Sequence, residues 1–167
     1  MNNPFGRFDR EKLREQFTTA KPVPHIVIDD FIPADDARAV VAAYPDFGSA
    51  LELGKTFKTV NERKKVQVSD YRKFTGAVST LNTALASSEF LADLSYITNM
   101  PNLLADEQLL GGGIHITGPG GRLDVHVDFN FIEDRQLHRR LNLLLYLNEP
   151  WQKAWGGQFQ LWDADVE

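Results

Sequence analysis

Cysteine is absent from the 167 residues, which excludes disulfides, thiolate metal sites and cysteine nucleophiles together. Long apolar runs are missing as well: nothing approaches the ~20 consecutive residues needed to span a bilayer. The N-terminal MNNPFGRFDREKLREQF is polar and charged where a signal peptide has an apolar core. A cytoplasmic protein with no membrane association is therefore expected. Positive charge is in deficit, with 18 Lys and Arg against 23 Asp and Glu, a net charge of −5 and a pI near 5.4. That balance argues against nucleic-acid binding. The short basic runs Arg63-Lys64-Lys65 and Arg139-Arg140 read as solvated or ion-paired surface. Several catalytic signatures are also lacking. The glycine-rich stretches at 111–113 and 118–121 fit neither GxGxxG nor a P-loop, so nucleotide binding is disfavoured and they read as sheet turns. No G-x-S-x-G supports a serine triad and no H-E-x-x-H supports a helical zinc site.

What remains is an ordinary globular composition, 43% hydrophobic and 25% charged, in a length that suits one domain with a real core. Residues 1–107 read as a mainly helical scaffold. Asp9 is placed to cap a helix with Leu13 and Phe17 on one face. Residues 23–28, VPHIVI, suggest an early strand. Ala37, Val40, Val41 and Tyr44 form an i, i+3, i+4, i+7 stripe that Pro45 ends. Ser79 or Thr80 is expected to cap a helix carrying Leu81, Ala84 and Leu85, and Ser88 to open another ending near Asn99-Met100-Pro101. Residues 48–75 are basic and weakly periodic, which suggests loop with at most one short strand.

At Gly111-Gly112-Gly113 the pattern changes to β-like runs separated by turns: GIHIT, GPGG, RLDVHVDF, RRLNLLLYLN, EPWQKAWGG and QFQLW. In the run from Arg140 to Asn148, strand alternation puts Arg140, Asn142, Leu144, Tyr146 and Asn148 on one face. Leu141, Leu143, Leu145 and Leu147 fall on the other. One side would pack on scaffold helices and the other would line a cavity. The fold class expected is α+β, helices first and sheet second, with no repeats and no low-complexity linker.

The chemistry concentrates in LDVHVDFNF, residues 123–131. On a strand His126 and Asp128 project from one face with Cα atoms about 6.6 Å apart. An imidazole and a carboxylate so spaced can converge on one divalent ion, two corners of a 2-His-1-carboxylate site. Four histidines and many aspartates make an isolated H-x-D a common coincidence. A structural hydrogen-bonded pair therefore stands beside the ligand reading.

The surroundings add more. GGGIHITGPGGRLDVHVDFN, LHRRLNLLLYLN and W-x3-WGGQFQLWD, about residues 108–163, resemble the prolyl-4-hydroxylase-like branch of the Fe(II)/2-oxoglutarate dioxygenases. PHIVIDDFI followed by a helix resembles it more loosely upstream. The resemblance implies a double-stranded β-helix, or jelly roll, backed by helices, with residues 108–167 forming the first part of its core. It implies Fe(II), 2-oxoglutarate and O2, with ascorbate a candidate auxiliary reductant. The implied reaction is hydroxylation of an unactivated C–H with decarboxylation of 2-oxoglutarate to succinate. His126 and Asp128 match the first two iron ligands, and the presence of Asp128 implies a hydroxylase where a halogenase would leave that position open. Tyr146 matches a tyrosine that contacts the distal carboxylate of 2-oxoglutarate, with Asn142 on the same face as a second donor. Gly156-Gly157 matches a tight turn before the next strand. His115, Asn130, Arg140 and Arg122 flank the site as candidate substrate contacts, Arg122 alternatively being ion-paired at a strand end. The substrate would be a prolyl or other peptide side chain, an amino acid or another small molecule.

The implied second histidine and the basic residue that follows it have no counterpart after His138. His25 reads as surface or capping, His138 as lying outside the metal site, and His115 as a substrate contact before a ligand. The jelly roll is thus expected to be truncated. A missing C-terminal segment or a second chain would complete it, or else the chain is a degenerate protein without iron. Weak iron binding and little or no turnover are expected of these residues alone. A cupin-like binding module is the non-enzyme alternative.

Overall fold

Asn3 caps the first turn of the chain. In the computed structural model, which describes residues 1–59, 61–163 and 165, the Asn3 side chain accepts a hydrogen bond from the Phe5 backbone N–H and opens a 3-10 turn, Pro4–Arg7. The turn drives Phe5 inward against Phe90, ring centroids 4.9 Å apart and nearly parallel, and edge-on to Phe31 at 5.4 Å. Such pairs contribute about 0.5–1.5 kcal/mol each beyond area burial. Helix α1 (Arg10–Thr19) is capped by Asp9, whose carboxylate accepts the Lys12 N–H, and buries Leu13 and Phe17 as their spacing predicts. Helix α5 (Ser88–Thr98) lies against α1 and buries Phe90, Leu94 and Ile97. Asp93 joins the two helices, bonded by Arg10 from α1 and by Asn3 from the turn.

Helices α2 (Ala34–Ala42), α3 (Phe47–Leu53) and α4 (Gly76–Leu85) complete the helical layer. Val40 of the α2 stripe is fully buried, whereas Val41 is half exposed. Cap positions shift from those expected. Thr75 precedes α4, so Ser79 and Thr80 sit inside the helix, where the hydroxyl of Thr80 bonds the Gly76 carbonyl. The cap of α5 is Ser87, one residue early, accepting the Phe90 N–H. Asn99, at φ 56°, ends that helix where expected.

The segment 48–75 is not a loop. It carries most of α3 and two strands, β1 (Lys55–Lys58) and β2 (Glu62–Val68). The early strand expected over 23–28 does not form. No ladder partner runs beside it, and Ile26 and Ile28 pack singly against the core. Strand β3 (Ile114–Leu123) pairs antiparallel with β2, giving the sheet order β1-β2-β3. Because β1 and β2 precede residue 107, the sheet ties the helical part of the chain to the glycine-rich part. The expected GPGG turn lies inside β3 as an irregularity: Lys65 faces Thr117 while Arg63 faces Arg122, so residues 118–121 bulge out. Paired residues share a face. Val66, Val68, Ile114 and Ile116 meet the helices, and Phe57, Lys65, Gln67, His115 and Thr117 turn the other way.

Beyond β3, among the described residues, only a short hairpin is laddered, β4 (Phe131–Ile132) with β5 (Leu137–His138). The stretches around His126, from Arg140 to Asn148, and over QFQLW carry no assigned helix or strand. The α+β class holds, but these two antiparallel sheets do not make a jelly roll. The alternation survives in burial: Leu141, Leu145 and Leu147 pack against the core while Asn142, Leu144, Tyr146 and Asn148 are exposed. Leu143 departs from it and is exposed. Among the described residues, no helix is long and apolar enough to cross a membrane.

Candidate metal centre

The β4–β5 hairpin builds the site. Its turn, Glu133–Arg135 followed by Gln136 at φ 52°, reverses the chain. The ladder then extends one bond beyond β4 and β5, from Arg139 N–H to the Asn130 carbonyl at 2.9 Å. Residues 139–142 are thereby folded back beside 128–130. The turn is held from outside by Arg135, which donates to Asp106 at 2.8 Å, while the same carboxylate accepts the Gln108 and Leu110 N–H groups. Burial raises the pKa of Asp106, but these hydrogen bonds and the Arg135 charge outweigh it and leave the carboxyl below its ordinary value.

His126 and Asp128 do come together. Nε2 of His126 is 3.5 Å from Oδ1 of Asp128, and the side chains are 40% and 42% exposed, so water and solutes reach them. His126 Nδ1 lies 2.8 Å from the Asp124 backbone carbonyl. A carbonyl oxygen only accepts, so Nδ1 carries a hydrogen, and Nε2 is the ring nitrogen turned toward Asp128. With Nε2 unprotonated, as metal ligation requires, imidazole nitrogen and carboxylate oxygen face each other across a gap that a shared cation would bridge. Ligands at about 2.1 Å from one metal and at right angles to each other stand about 3.0 Å apart, close to the spacing found. The anchored imidazole is the arrangement that metal-ligating histidines usually have.

Asp128 is braced on its other oxygen. Asn142 Nδ2 donates to Oδ2 at 2.8 Å, and Arg139 Nη2 is 3.5 Å from the same atom. Arg139 Nε in turn donates to Asn142 Oδ1 at 2.8 Å, and the guanidinium lies 4.7 Å from the Phe129 ring centroid. Arg139 did not stand out in the sequence. Alternation carried unbroken through 138–142 puts Arg140 on the site face and Arg139 on the leucine face. Without a ladder past Arg139 that parity is lost, and Arg140 is simply exposed. The usable signal was the three-residue step from Arg139 to Asn142.

The other candidates are scattered. Tyr146 stacks edge-on against Trp151 at 5.7 Å, and Trp151 against Trp155 at 6.0 Å. The partial burial of Tyr146 raises its phenol pKa. Gly156 and Gly157, at φ 68° and 77°, follow the 3-10 turn Lys153–Trp155 at the place where the resemblance implies a tight turn. His115 is on the sheet face turned away from the helices, opposite Gln67. Burial lowers its pKa, as do the charges of Lys65 and Arg139, against a raising interaction with the Gly112 backbone. Arg122 is paired with Asp124 at 3.2 Å, and Asn130 contributes its carbonyl to Arg139. His25 bonds the Val23 carbonyl and His138 packs on Phe131.

The donor set therefore fits a divalent metal in part. His126 and Asp128 are oriented for it, but no group of three or more His, Cys, Asp or Glu side chains converges on one point among the described residues. Comparison with known families finds that residues 112–167, about one third of the chain, match the 2OG-Fe(II) oxygenase superfamily. The match begins at the glycine run and contains the whole His126–Asp128–Asn142–Arg139 cluster. No curated protein and no solved structure matches the chain.

Proposed function

We propose that this chain carries the cosubstrate and metal face of an Fe(II)- and 2-oxoglutarate-dependent hydroxylase of the prolyl-4-hydroxylase-like branch. The observation that carries the reading is the paired presentation of His126 Nε2 and Asp128 Oδ1 inside the segment that matches the oxygenase superfamily. His126 and Asp128 would hold the iron, which when bound with 2-oxoglutarate supplies the oxidising power for C–H hydroxylation. The chain's own residues orient and exclude. The Asp124 carbonyl fixes the His126 tautomer, and Asn142 keeps Asp128 turned to the metal. Tyr146 meets the distal carboxylate of 2-oxoglutarate, and Asn142 has one amide N–H left for the same cosubstrate. His115, on the far sheet face, meets the substrate together with Asn130, Arg140 and Arg122. The substrate is a peptidyl side chain, an amino acid or another small molecule.

The third ligand and a basic partner for 2-oxoglutarate come from further chain or from a second chain that covers this face. The exposed apolar residues of the same region, Val125, Val127 and Phe129, are what such a layer would bury. Because no three-ligand group is present among the described residues, a non-catalytic binding module is the second reading. Anaerobic addition of Fe(II) and 2-oxoglutarate to the protein supplied with its covering segment separates the two. A visible charge-transfer band that is lost in His126→Ala supports the enzyme. Failure of the band to form in that completed protein leaves the binding module.

A further inference from the structure

Asp128 has two oxygens with different neighbours, and the difference is imposed from Arg139. The guanidinium is fixed at several points: Nε on Asn142 Oδ1 at 2.8 Å, Nη2 3.5 Å from Asp128 Oδ2, and its plane 4.7 Å from the Phe129 ring centre. It is four-fifths buried, with 21% of the side chain exposed. Gly111 leaves the room it needs, since a Cβ there would lie 3.1 Å from Arg139 Nη1 and from the Phe129 ring. The consequence concerns Asn142. An amide can usually be turned either way at little cost, because its oxygen and nitrogen have nearly the same shape. Here the Arg139 Nε–H can only donate, so it fixes Asn142 Oδ1 on its own side. The amide N–H must then point at Asp128, where it donates to Oδ2 at 2.8 Å. With Oδ2 so engaged, Oδ1 is the oxygen left to face His126 Nε2.

We propose that Arg139 is a positioning residue that acts through Asn142 to make Asp128 a one-oxygen ligand, presenting Oδ1 and reserving Oδ2. This inference rests on the reading of His126 and Asp128 as metal ligands. The side-chain contacts of Arg139 are to Asn142, to Asp128 Oδ2 and to the Phe129 ring, so it acts on which atom its neighbours present. Its positive charge next to a carboxylate would by itself weaken binding of a cation, so charge and orientation pull in opposite directions. Loss of an orienting partner outside the ligand set typically lowers metal affinity by about 10–100-fold, and orientation wins.

The test is a Mn(II) titration of the whole 167-residue chain, followed by electron paramagnetic resonance of free and bound ion. The variants are Arg139→Met, Arg139→Lys, Asn142→Ala and the double variant Arg139→Met/Asn142→Ala, with His126→Ala as control and circular dichroism melts to verify folding. About tenfold weaker binding in Arg139→Met and in Asn142→Ala is expected, with no further loss in the double variant, because Arg139 has nothing to orient once the amide is gone. Lysine keeps the charge but lacks the Nε donor, so Arg139→Lys should behave as Arg139→Met. Unchanged or tighter binding in Arg139→Met, additive losses in the double variant, or full rescue by lysine would each overturn the positioning role. If His126→Ala binds Mn(II) as well as the unaltered chain, the ligand reading itself fails, a separate result.

Discussion

Gly113 is where a single methyl group does most damage, and the cost can be worked from its surroundings. The residue sits at φ +100°, and a Cβ there would lie 2.2 Å from the Val68 carbonyl oxygen and 3.1 Å from Ser69 Cα. Both atoms are backbone of the β2 end, so no side-chain rotation relieves the clash. Holding a non-glycine residue at that φ costs about 1–3 kcal/mol. The strained φ does not remove the clash, and moving the start of β3 away to relieve it breaks in addition the Val68–Ile114 pairing and the 2.7 Å bond from Gln67 Nε2 to the Gly112 carbonyl. Each is worth about 1 kcal/mol. Gly113→Ala should therefore destabilise the fold by about 3–5 kcal/mol, a large part of the 5–15 kcal/mol typical of a domain. The matched control is Gly112→Ala, where the nearest atom to a new Cβ is 3.7 Å away and a change under about 1 kcal/mol is expected. Urea unfolding followed by far-ultraviolet circular dichroism reads both. If Gly113→Ala unfolds at the same urea concentration as Gly112→Ala, the pairing of β3 on β2 described above is wrong.

Asp93 is 7% exposed and holds Arg10 and Asn3 across the α1–α5 contact. Asp93→Ala should cost about 1–3 kcal/mol, and a urea midpoint unchanged from the parent would show that the contact does not bear on stability. His115 has a folded pKa below its ordinary 6.5, first through burial and then through Lys65. The unfolded chain therefore binds more protons just below pH 6.5, so the neutral ring's contribution is present above that pH and is lost on acidification. Urea midpoints at pH 7.5, 6.5 and 5.5 should fall more steeply for the parent than for His115→Asn, and parallel slopes would count against the crowding of this ring.

Local rules reached the helices well. Asp9, Leu13 and Phe17 act through contacts within two turns, so cap and spacing specify them without reference to the rest of the chain. Sheet partners are a different matter. The basic run Arg63-Lys64-Lys65 looked like loop because its charges hide the alternation that only Val66 and Val68 reveal, and β2 exists because β3, some fifty residues later, pairs with it. VPHIVI has strand composition but no such partner. The same limit applied at the site. The H-x-D spacing identified His126 and Asp128 on local grounds, and resemblance placed them in an oxygenase context that the superfamily match to residues 112–167 supports. Alternation alone puts Asn142 on the site face, whereas its contact with Asp128 comes from the hairpin reversal at Gln136. A period-two count misses Arg139 because it assumes a continuous strand, and β5 ends at His138.

Mn(II) affinity of the 167-residue chain, compared with its His126→Ala, Asp128→Ala and Glu133→Ala variants, addresses the two-ligand claim most directly. Glu133 lies in the same hairpin turn and serves as an acidic control away from the pair. Weak binding is expected for a site with two side-chain ligands, reduced at least about tenfold by either ligand substitution and unaltered by Glu133→Ala. Equal binding by all four proteins would contradict the assignment of His126 and Asp128 as metal ligands.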